Sequence, residues 1–523
     1  MDIEYKKSSE IFNQHHYWTK QPLNAIDYFI ALNSKPNEIV LDPFCGTGMT
    51  GVSAILNNRR AILCDISPIC NHISKGYTTV LNFPKSEIAR NLQSISEKIG
   101  DLYTTTCINC NSEAEILFTI LGEQYIDSSG NKCIDNDLIF DSIINEIVFK
   151  KEKINNAHFS QFELVRIVYK CSCSKKKIYK IPSEEDHQKQ NKKKWNDNII
   201  PKDFFFGKEP KRNFKKGINQ VYEIYSHRNL SALSIIKDEI NKISNEEVQK
   251  YFLFCFTSIL FNTSLMSRYR KYENTSIKMG TFYIPPMIKD NNVLRSFESK
   301  LLKNYKSNYS LYNNTTLSDV RIYNVSATDL NCIEDDSIDY IYTDPPYADV
   351  ISYSELNLVW ESWLDLKTKN EFEMIISPSE GKSIEGYFSL LDSFLDKASK
   401  KLKKEKKMTL IFHHPNIEFW SKLQNSIVKS NFIPLSSVKP IRIISKSKTS
   451  SQHITKKKSQ CFLAFTFVNK KKPVFNLEKI SNERLSEIIE EISKETNHSE
   501  ADTYDYIINY LFSRYKIPNS LTP

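Results

Sequence analysis

The stretch "NEIVLDPFCGTGMTGVSAILNNRRAILCDIS" (37–67) constrains the fold more than any other. "NEIVLDPF" (37–44) reads as a buried strand, and "GTGMTGVSAILNNRR" (46–60) as a glycine turn opening a helix. "AILCDIS" (61–67) reads as a second buried strand. Strand, glycine turn, helix and strand make a βαβ unit, which calls for an α/β sheet covered by helices. Helical spacing precedes it in "QPLNAIDYFIALNSK" (21–35) and follows it in "KSEIARNLQSISEKIGDLY" (85–103).

The alternating pattern then stops and returns only near residue 320. There "DVRIYNVSATDL" and "SIDYIYTDPPY" read as strands, "FSLLDSFLDKASKKLKKE" as a helix and "KMTLIFHHP" as a strand. "FIPLSSVKPIRIIS" and "KSQCFLAFTFVN" read as an antiparallel pair, and the tail 476–515 as helical. Neither αβ-patterned piece is large enough for a full sheet. The connection between them, about 104 to 320, far exceeds loops of about 2–6 residues and must be structured itself. One α/β domain split by an insertion is the economical reading.

Composition excludes several classes. With 40% hydrophobic and 12% aromatic residues over 523, the chain has enough apolar mass for packed cores and is not disordered. No apolar run approaches the roughly 18 residues of a membrane helix, and "MDIEYKKSSEIFNQHHYW" lacks a signal-peptide pattern. No membrane partner is expected, and the expected location is cytoplasmic. The eleven cysteines then read as thiols or metal ligands rather than disulfides. The net charge of +9 comes in lysine clusters at 175–177, 189–194, 208–216, 400–407 and 446–458. Charge alone leaves phosphate contact and a solvated face equally open.

Gly46, Gly48 and Gly51 have GxGxxG spacing between a strand and a helix. Such glycines permit a tight turn and let a ligand reach the backbone. Nicotinamide enzymes share this pattern, and so do ordinary βα turns. Asp65, at the end of the next strand, is placed to accept the two hydroxyls of a ribose. Asp42 and Pro43 just before the turn argue against a phosphate, which a carboxylate would repel. A ligand with a ribose and a cationic centre but no phosphate fits better, and S-adenosylmethionine is one.

"TDPPY" (343–347) ends a strand with Asp344, Pro345, Pro346 and Tyr347. An exocyclic amino group on a base is a poor nucleophile, because its lone pair is delocalised into the ring. A carboxylate and a carbonyl accepting its two hydrogens favour a tetrahedral nitrogen and free that pair. Consecutive prolines expose such a carbonyl, and a neighbouring ring can stack on an extruded base. An Asp-Pro-Pro turn is otherwise plain punctuation at a strand end.

"DPFCGTG" (42–48) and "TDPPY" resemble motifs I and IV of the amino-methylating DNA methyltransferases, which make N6-methyladenine or N4-methylcytosine. "HYWTKQP" (16–22) resembles the family's motif X, which implies Thr19 and Lys20 at the methionine end of the cofactor. "ATDL" (327–330) is similar to the segment before motif IV, which implies Asp329 near the cofactor adenine or the target pocket. Four further blocks resemble adenine-specific DNA methylases that carry a zinc ribbon: "HRNLSALSIIKDEI", "SRYRKYENTSIKMGTFYIPP", "DPPYADVISYSELNLVWESWL" and "FHHPNIEFW". The likeness spans roughly residues 11–470. This chain departs from it at Thr328-Asp329, where a Gly-Asp pair is usual, and at Ala348, where glycine or a small polar residue is usual.

The resemblance implies a Rossmann-like class I methyltransferase sheet, divided by an insertion with a zinc-ribbon-like segment and helices. Its pieces would be a first methyltransferase part (1–103, motifs X, I and II), a zinc-ribbon-like insertion (104–200) and a helical, target-recognising insertion (201–320). The second methyltransferase part (321–470, motif IV onward) and a helical tail (471–523) would follow.

"CINC" (107–110) and "CSC" (171–173) supply Cys107, Cys110, Cys171 and Cys173, a thiolate set for structural Zn²⁺. Cys133 lies between them as a substitute ligand, and unliganded buried thiols are the bland alternative. Cys45, Cys64, Cys70, Cys255, Cys332 and Cys461 sit in apolar runs and read as packing. Cys45 need not be a nucleophile, since base-carbon methylation typically uses a Pro-Cys pair, which is absent here. His413 and His414 are pocket candidates or structural residues. Arg268, Tyr269, Arg270, Lys271 and Tyr272 mix cations and rings as nucleic-acid surfaces do, and as solvated helix ends do.

The favoured expectation is an S-adenosylmethionine-dependent DNA methyltransferase acting on adenine N6. Its cofactor would lie among Thr19, Lys20, Asp42, Phe44, Gly46, Gly48 and Asp65, and its substrate would be double-stranded DNA. Such a function leaves room for a partner restriction or defence protein, on which the sequence is silent. A tRNA guanine N2-methyltransferase shares both motifs but would bring an RNA-binding domain ahead of the first strand, where only 36 residues stand. A nucleic-acid-binding subunit without turnover is the third reading.

Overall fold

The computed structural model describes residues 2–4, 10–126, 132–134, 137–141, 146–150, 158–270, 277, 281–312, 319–349, 351–435, 441–444, 461–471, 477–495, 500–512 and 514–518. The main sheet consists of β1 (Asp2–Glu4), β2 (Ile39–Asp42), β3 (Arg60–Cys64), β4 (Val320–Tyr323), β5 (Ile338–Thr343), β6 (Leu402–Phe412), β7 (Phe432–Pro434), β8 (Ile441–Ile444) and β9 (Cys461–Asn469). Across the sheet the order is β1-β8-β9-β6-β5-β2-β3-β4, with β7 also on β9. The run β4-β3-β2-β5-β6 is parallel, and β9 joins β6 and β8 antiparallel.

From β2 the chain moves outward to β3 and β4, then crosses back to β5 on the other side of β2. The carboxyl ends of β2 and β5 therefore open at a switch point, where ligands of such sheets bind. Burial explains the strands, since Val40, Leu41, Tyr340 and Ile341 are all fully enclosed.

Six of the helices matter for the site: α1 (Leu23–Asn33), α2 (Met49–Leu56), α3 (Pro68–Thr78), α4 (Glu246–Ile259), α5 (Val293–Tyr312) and α6 (Tyr353–Trp363). A seventh, α7 (Ile384–Lys401), corrects the sequence reading, which carried the helix on to Glu405. Leu402 is fully buried and pairs with Ile338, so β6 begins there, and Glu405 takes φ +63° as the strand shifts register. The lysine-rich stretch has no apolar period to reveal that change.

Residues 104–291 build a second, six-stranded sheet. Its strands Ile178–Lys180, His158–Lys170, Glu113–Ile126 and Met287–Asn291 lie side by side, and Thr104–Thr106 and Lys132–Ile134 add to Glu113–Ile126. The strand Met287–Asn291 falls in the stretch read as helical from sequence. A buried Arg228–Asp290 pair at 3.0 Å ties the helix His227–Asn241 to that strand. The inserted helices dock on the main sheet's cover. A Cβ on Gly76 of α3 would meet the Phe254 ring of α4 at 2.1 Å, and the Trp360 indole of α6 donates to the Thr257 carbonyl of α4 at 2.9 Å. Among the described residues no helix is long and apolar enough to cross a membrane.

The turn after β2 is tightly built. Gly46 and Gly48 have φ of +48° and +75°, and the Gly48 N–H donates to the Cys45 carbonyl at 2.7 Å. A Cβ on Gly48 would meet Ser74 of α3, its Cα at 2.9 Å. We predict that Gly48→Ala costs roughly 1–3 kcal/mol, read as a lowered melting temperature, because both the conformation and the contact resist a side chain.

Candidate functional site: a cavity at the strand switch point

One cavity of about 730 Å³ opens over the carboxyl ends of β2 and β5. Asp42, Phe44, Gly46, Asp65, Asp344, Pro345, Pro346 and Tyr347 all line it, as do Thr19 and Lys20 from the strap ahead of α1. The register that pairs Val40 with Tyr340 and Leu41 with Ile341 brings the two strand ends level.

The glycine turn is stitched to β3 through Asp65. Its carboxylate accepts from the N–H of Gly46 at 2.9 Å and from that of Ser67 at 2.9 Å. Asp42 accepts from the Phe44 N–H at 3.1 Å and from the Thr50 hydroxyl. Asp344 is held at both oxygens, by the Gln21 amide at 2.7 Å and by the Tyr347 hydroxyl. The Tyr347 ring packs edge-on against Phe412 at 5.4 Å. The Pro346 carbonyl accepts from Tyr387 at 2.8 Å, which fixes the turn from α7.

Burial dominates the electrostatics. It raises Asp42 to about 7, against the opposing bonds from Thr50 and Phe44. It raises Asp65 to about 6 against the Ser67 and Gly46 amides, and Asp344 to about 6 against Tyr347 and Gln21. Three carboxyls enclosed together leave a site that favours a cationic guest, which would restore their charge.

Other residues singled out in the sequence are placed differently. Gly48 does not line the cavity; it seats α3 through Ser74. Asp329 is exposed and off the cavity wall, which its neighbours Ser326 and Ala327 reach. Lys20 is buried, lowered to about 7 by desolvation, and donates to the carbonyl of His15 at 2.8 Å and to that of Phe12. His413 lines the cavity, whereas His414 stacks on Phe419 at 3.8 Å between ring centroids. Tyr269 is packed near Phe118 and offers no open ring, while Arg268 is exposed. Lys271, Tyr272 and the lysines of 446–458 lie outside the described residues. Cys45, Cys64, Cys70 and Cys255 are buried, but Cys332 is exposed, contrary to its apolar-run reading. Ala348 has φ +56°, a left-handed conformation that explains why glycine suits this position.

Several wall residues besides Thr19 were not singled out in the sequence. The Thr19 hydroxyl and the Tyr353 hydroxyl are 2.6 Å apart, and the Tyr17 ring stacks between Tyr353 and Trp360. Asn357 on α6 is fully buried and its side-chain oxygen has no partner, as is true of the Gln21 oxygen. Lys300 on α5, with Nζ bonded to the Asn13 and Gln14 carbonyls at 2.7 and 3.0 Å, closes the wall from the inserted region.

Away from the cavity, the Sγ atoms of Cys107, Cys110, Cys171 and Cys173 all lie within 4.8 Å of one another. Cys107 and Cys173 are 3.6 Å apart, and Cys110 and Cys171 3.5 Å. Tetrahedral zinc with bonds of about 2.3 Å requires sulfurs about 3.8 Å apart, so the four thiols fit such an ion. The Cys133 side chain lies outside the described residues.

Residues 2–75 match the family model N6_N4_Mtase, described as DNA methylase. No curated protein matches the chain. Among solved structures, the geranyl diphosphate C-methyltransferase of Streptomyces coelicolor A3(2), in complex with Mg²⁺, geranyl diphosphate and S-adenosyl-L-homocysteine, is similar at 8% identity. That likeness covers 33% of this chain and 59% of the other, with a TM-score of 0.18, too low to decide anything.

The four thiols yield a direct expectation. The purified chain should carry one equivalent of zinc by elemental analysis, and Cys171→Ser should lose it. Chelation should expose the second sheet to proteolysis while the main sheet persists, because a closed thiolate site contributes folding energy outright.

Proposed function

We propose that the chain is an S-adenosylmethionine-dependent DNA methyltransferase that modifies an exocyclic amino group, adenine N6 in the first place. What supports the reading is the meeting of the two strand ends in one cavity, whose lining includes Asp344, Pro345 and Gly46. The family match over residues 2–75 supports DNA as the substrate.

The cofactor fits the donor set: three buried carboxylates suit a sulfonium and an ammonium, and the enclosed Asn357 oxygen lacks a donor. Bound there, it would supply an electrophilic methyl carbon. The chain's own residues do the rest. Asp65 would hold the ribose, and Thr19 and the strap would wall the methionine end. Asp344 and the Pro345 carbonyl accept the two hydrogens of the target amine, which concentrates the nitrogen lone pair for attack. Tyr347, held through its hydroxyl on Asp344, would supply a ring beside the extruded base. The inserted second sheet and its lysines would grip the duplex and read its sequence.

The test is transfer of labelled methyl groups by the purified chain to genomic DNA and, in parallel, to bulk tRNA. Label in DNA, with methylated adenine mapped in cells expressing the protein, is expected; label in tRNA alone would overturn the reading. Asp344→Ala should lower transfer at least about a hundredfold while cofactor binding persists.

A pH dependence follows from the raised carboxyls. Asp344 must be ionised to accept hydrogens, so transfer should rise with pH through about 6 and level off above about 7. Because Asp42, Asp65 and Asp344 are raised on folding, their contribution to stability is full below about 4 and is lost as pH rises through 6–7. A cation that favours the ionised carboxyls should therefore raise the melting temperature more at about pH 7.5 than at about pH 5.5.

A further inference from the structure

The acidic wall of the cavity matches the sulfonium and the ammonium of the cofactor, but its amino-acid end also carries a carboxylate, which needs a donor. Lys300 on α5 lines the cavity together with Asn13 of the strap. An ammonium has three hydrogens, and Nζ gives two of them to the Asn13 and Gln14 carbonyls at 2.7 and 3.0 Å. Among the described residues no further acceptor and no carboxylate pairs with it, so its charge is met only by neutral oxygens. Desolvation lowers Lys300 to about 8, which leaves it charged at neutral pH. An enclosed cation without an anion is costly, and an anionic guest relieves that cost.

Lys20, the lysine that the motif singles out, is engaged differently. All three of its hydrogens have acceptors, in the Phe12 and His15 carbonyls and the Tyr77 hydroxyl at 3.0 Å. Its side chain is buried, whereas Lys300 keeps some accessible surface. Resting on the methyltransferase reading above, we propose that Lys300 is a cofactor-binding residue supplied by the inserted region, holding through its ammonium the carboxylate at the cofactor's amino-acid end. Its surroundings do not depend on that lysine alone. Asn304, one turn further along α5, donates to the same Gln14 carbonyl at 3.3 Å, so helix and strap keep a second tie when Lys300 is replaced.

The test compares S-adenosylmethionine with its decarboxylated form, which keeps the adenosine, the sulfonium and the ammonium and lacks only the carboxylate. By titration calorimetry the unaltered protein should bind the carboxylated form about 10–100-fold more tightly, the worth of a charge-assisted hydrogen bond. Lys300→Met keeps the unbranched stem and removes the charge. It should weaken S-adenosylmethionine by about 10–100-fold and leave the decarboxylated form within about twofold, so that most of the preference disappears. Lys300→Arg should retain most of it. A merely structural role, in which the variant slackens the strap, would weaken both ligands alike. Equal weakening, or a preference undiminished in Lys300→Met, overturns this inference alone. So does the absence of any preference in the unaltered protein, a result that needs no variant to fold. Binding of neither form by the unaltered protein overturns the methyltransferase reading, and this inference with it.

Discussion

The pairing of β2 with β5 is the contact on which everything else depends. The two strands are separated by nearly 300 residues of chain, yet they hydrogen-bond as parallel neighbours with Val40 opposite Tyr340. One step of slippage would move every side chain to the opposite face, so the packed burial of Val40, Leu41, Tyr340 and Ile341 holds the register. Because the register is fixed, a carboxylate leaving one strand and a proline pair leaving the other end at the same depth. No loop rearrangement is needed to bring them together.

Around that pairing, acidity is concentrated rather than dispersed. Asp42, Asp65 and Asp344 each accept hydrogen bonds from neutral local donors, and the Gly46 amide satisfies Asp65 from within the glycine turn itself. The site is therefore better furnished with acceptors than with donors. That imbalance is what the sequence reading of Asp42 and Pro43 ahead of the turn leads one to expect. It also explains why the wall retains oxygens without partners at Gln21 and Asn357.

Much of this was legible in the chain because its signals are local. A glycine turn between two apolar strands and an Asp-Pro-Pro-Tyr strand end are readable in a few residues, and so were the paired cysteines. The cavity's other walls were not, since Tyr17, Gln21, Tyr353 and Asn357 acquire their meaning only when the strap before α1 meets α6. Short likeness is less exact: of the stretch around "ATDL", Ser326 and Ala327 reach the wall, and Asp329 is exposed beside them. Lys20 was assigned to the ligand by its motif, whereas its ammonium is bonded to carbonyls of its own strap. The end of α7 was misjudged for want of apolar periodicity, and only Leu402 pairing with Ile338 settles it.

Lys300 has a wider consequence. Its ammonium, carried on a helix that precedes the second half of the main sheet, clasps two carbonyls of the N-terminal strap. The inserted region is thus masonry in the pocket and not an appendage hung from it. Pruning residues 104–312 to isolate the main sheet would breach the chamber it was meant to keep.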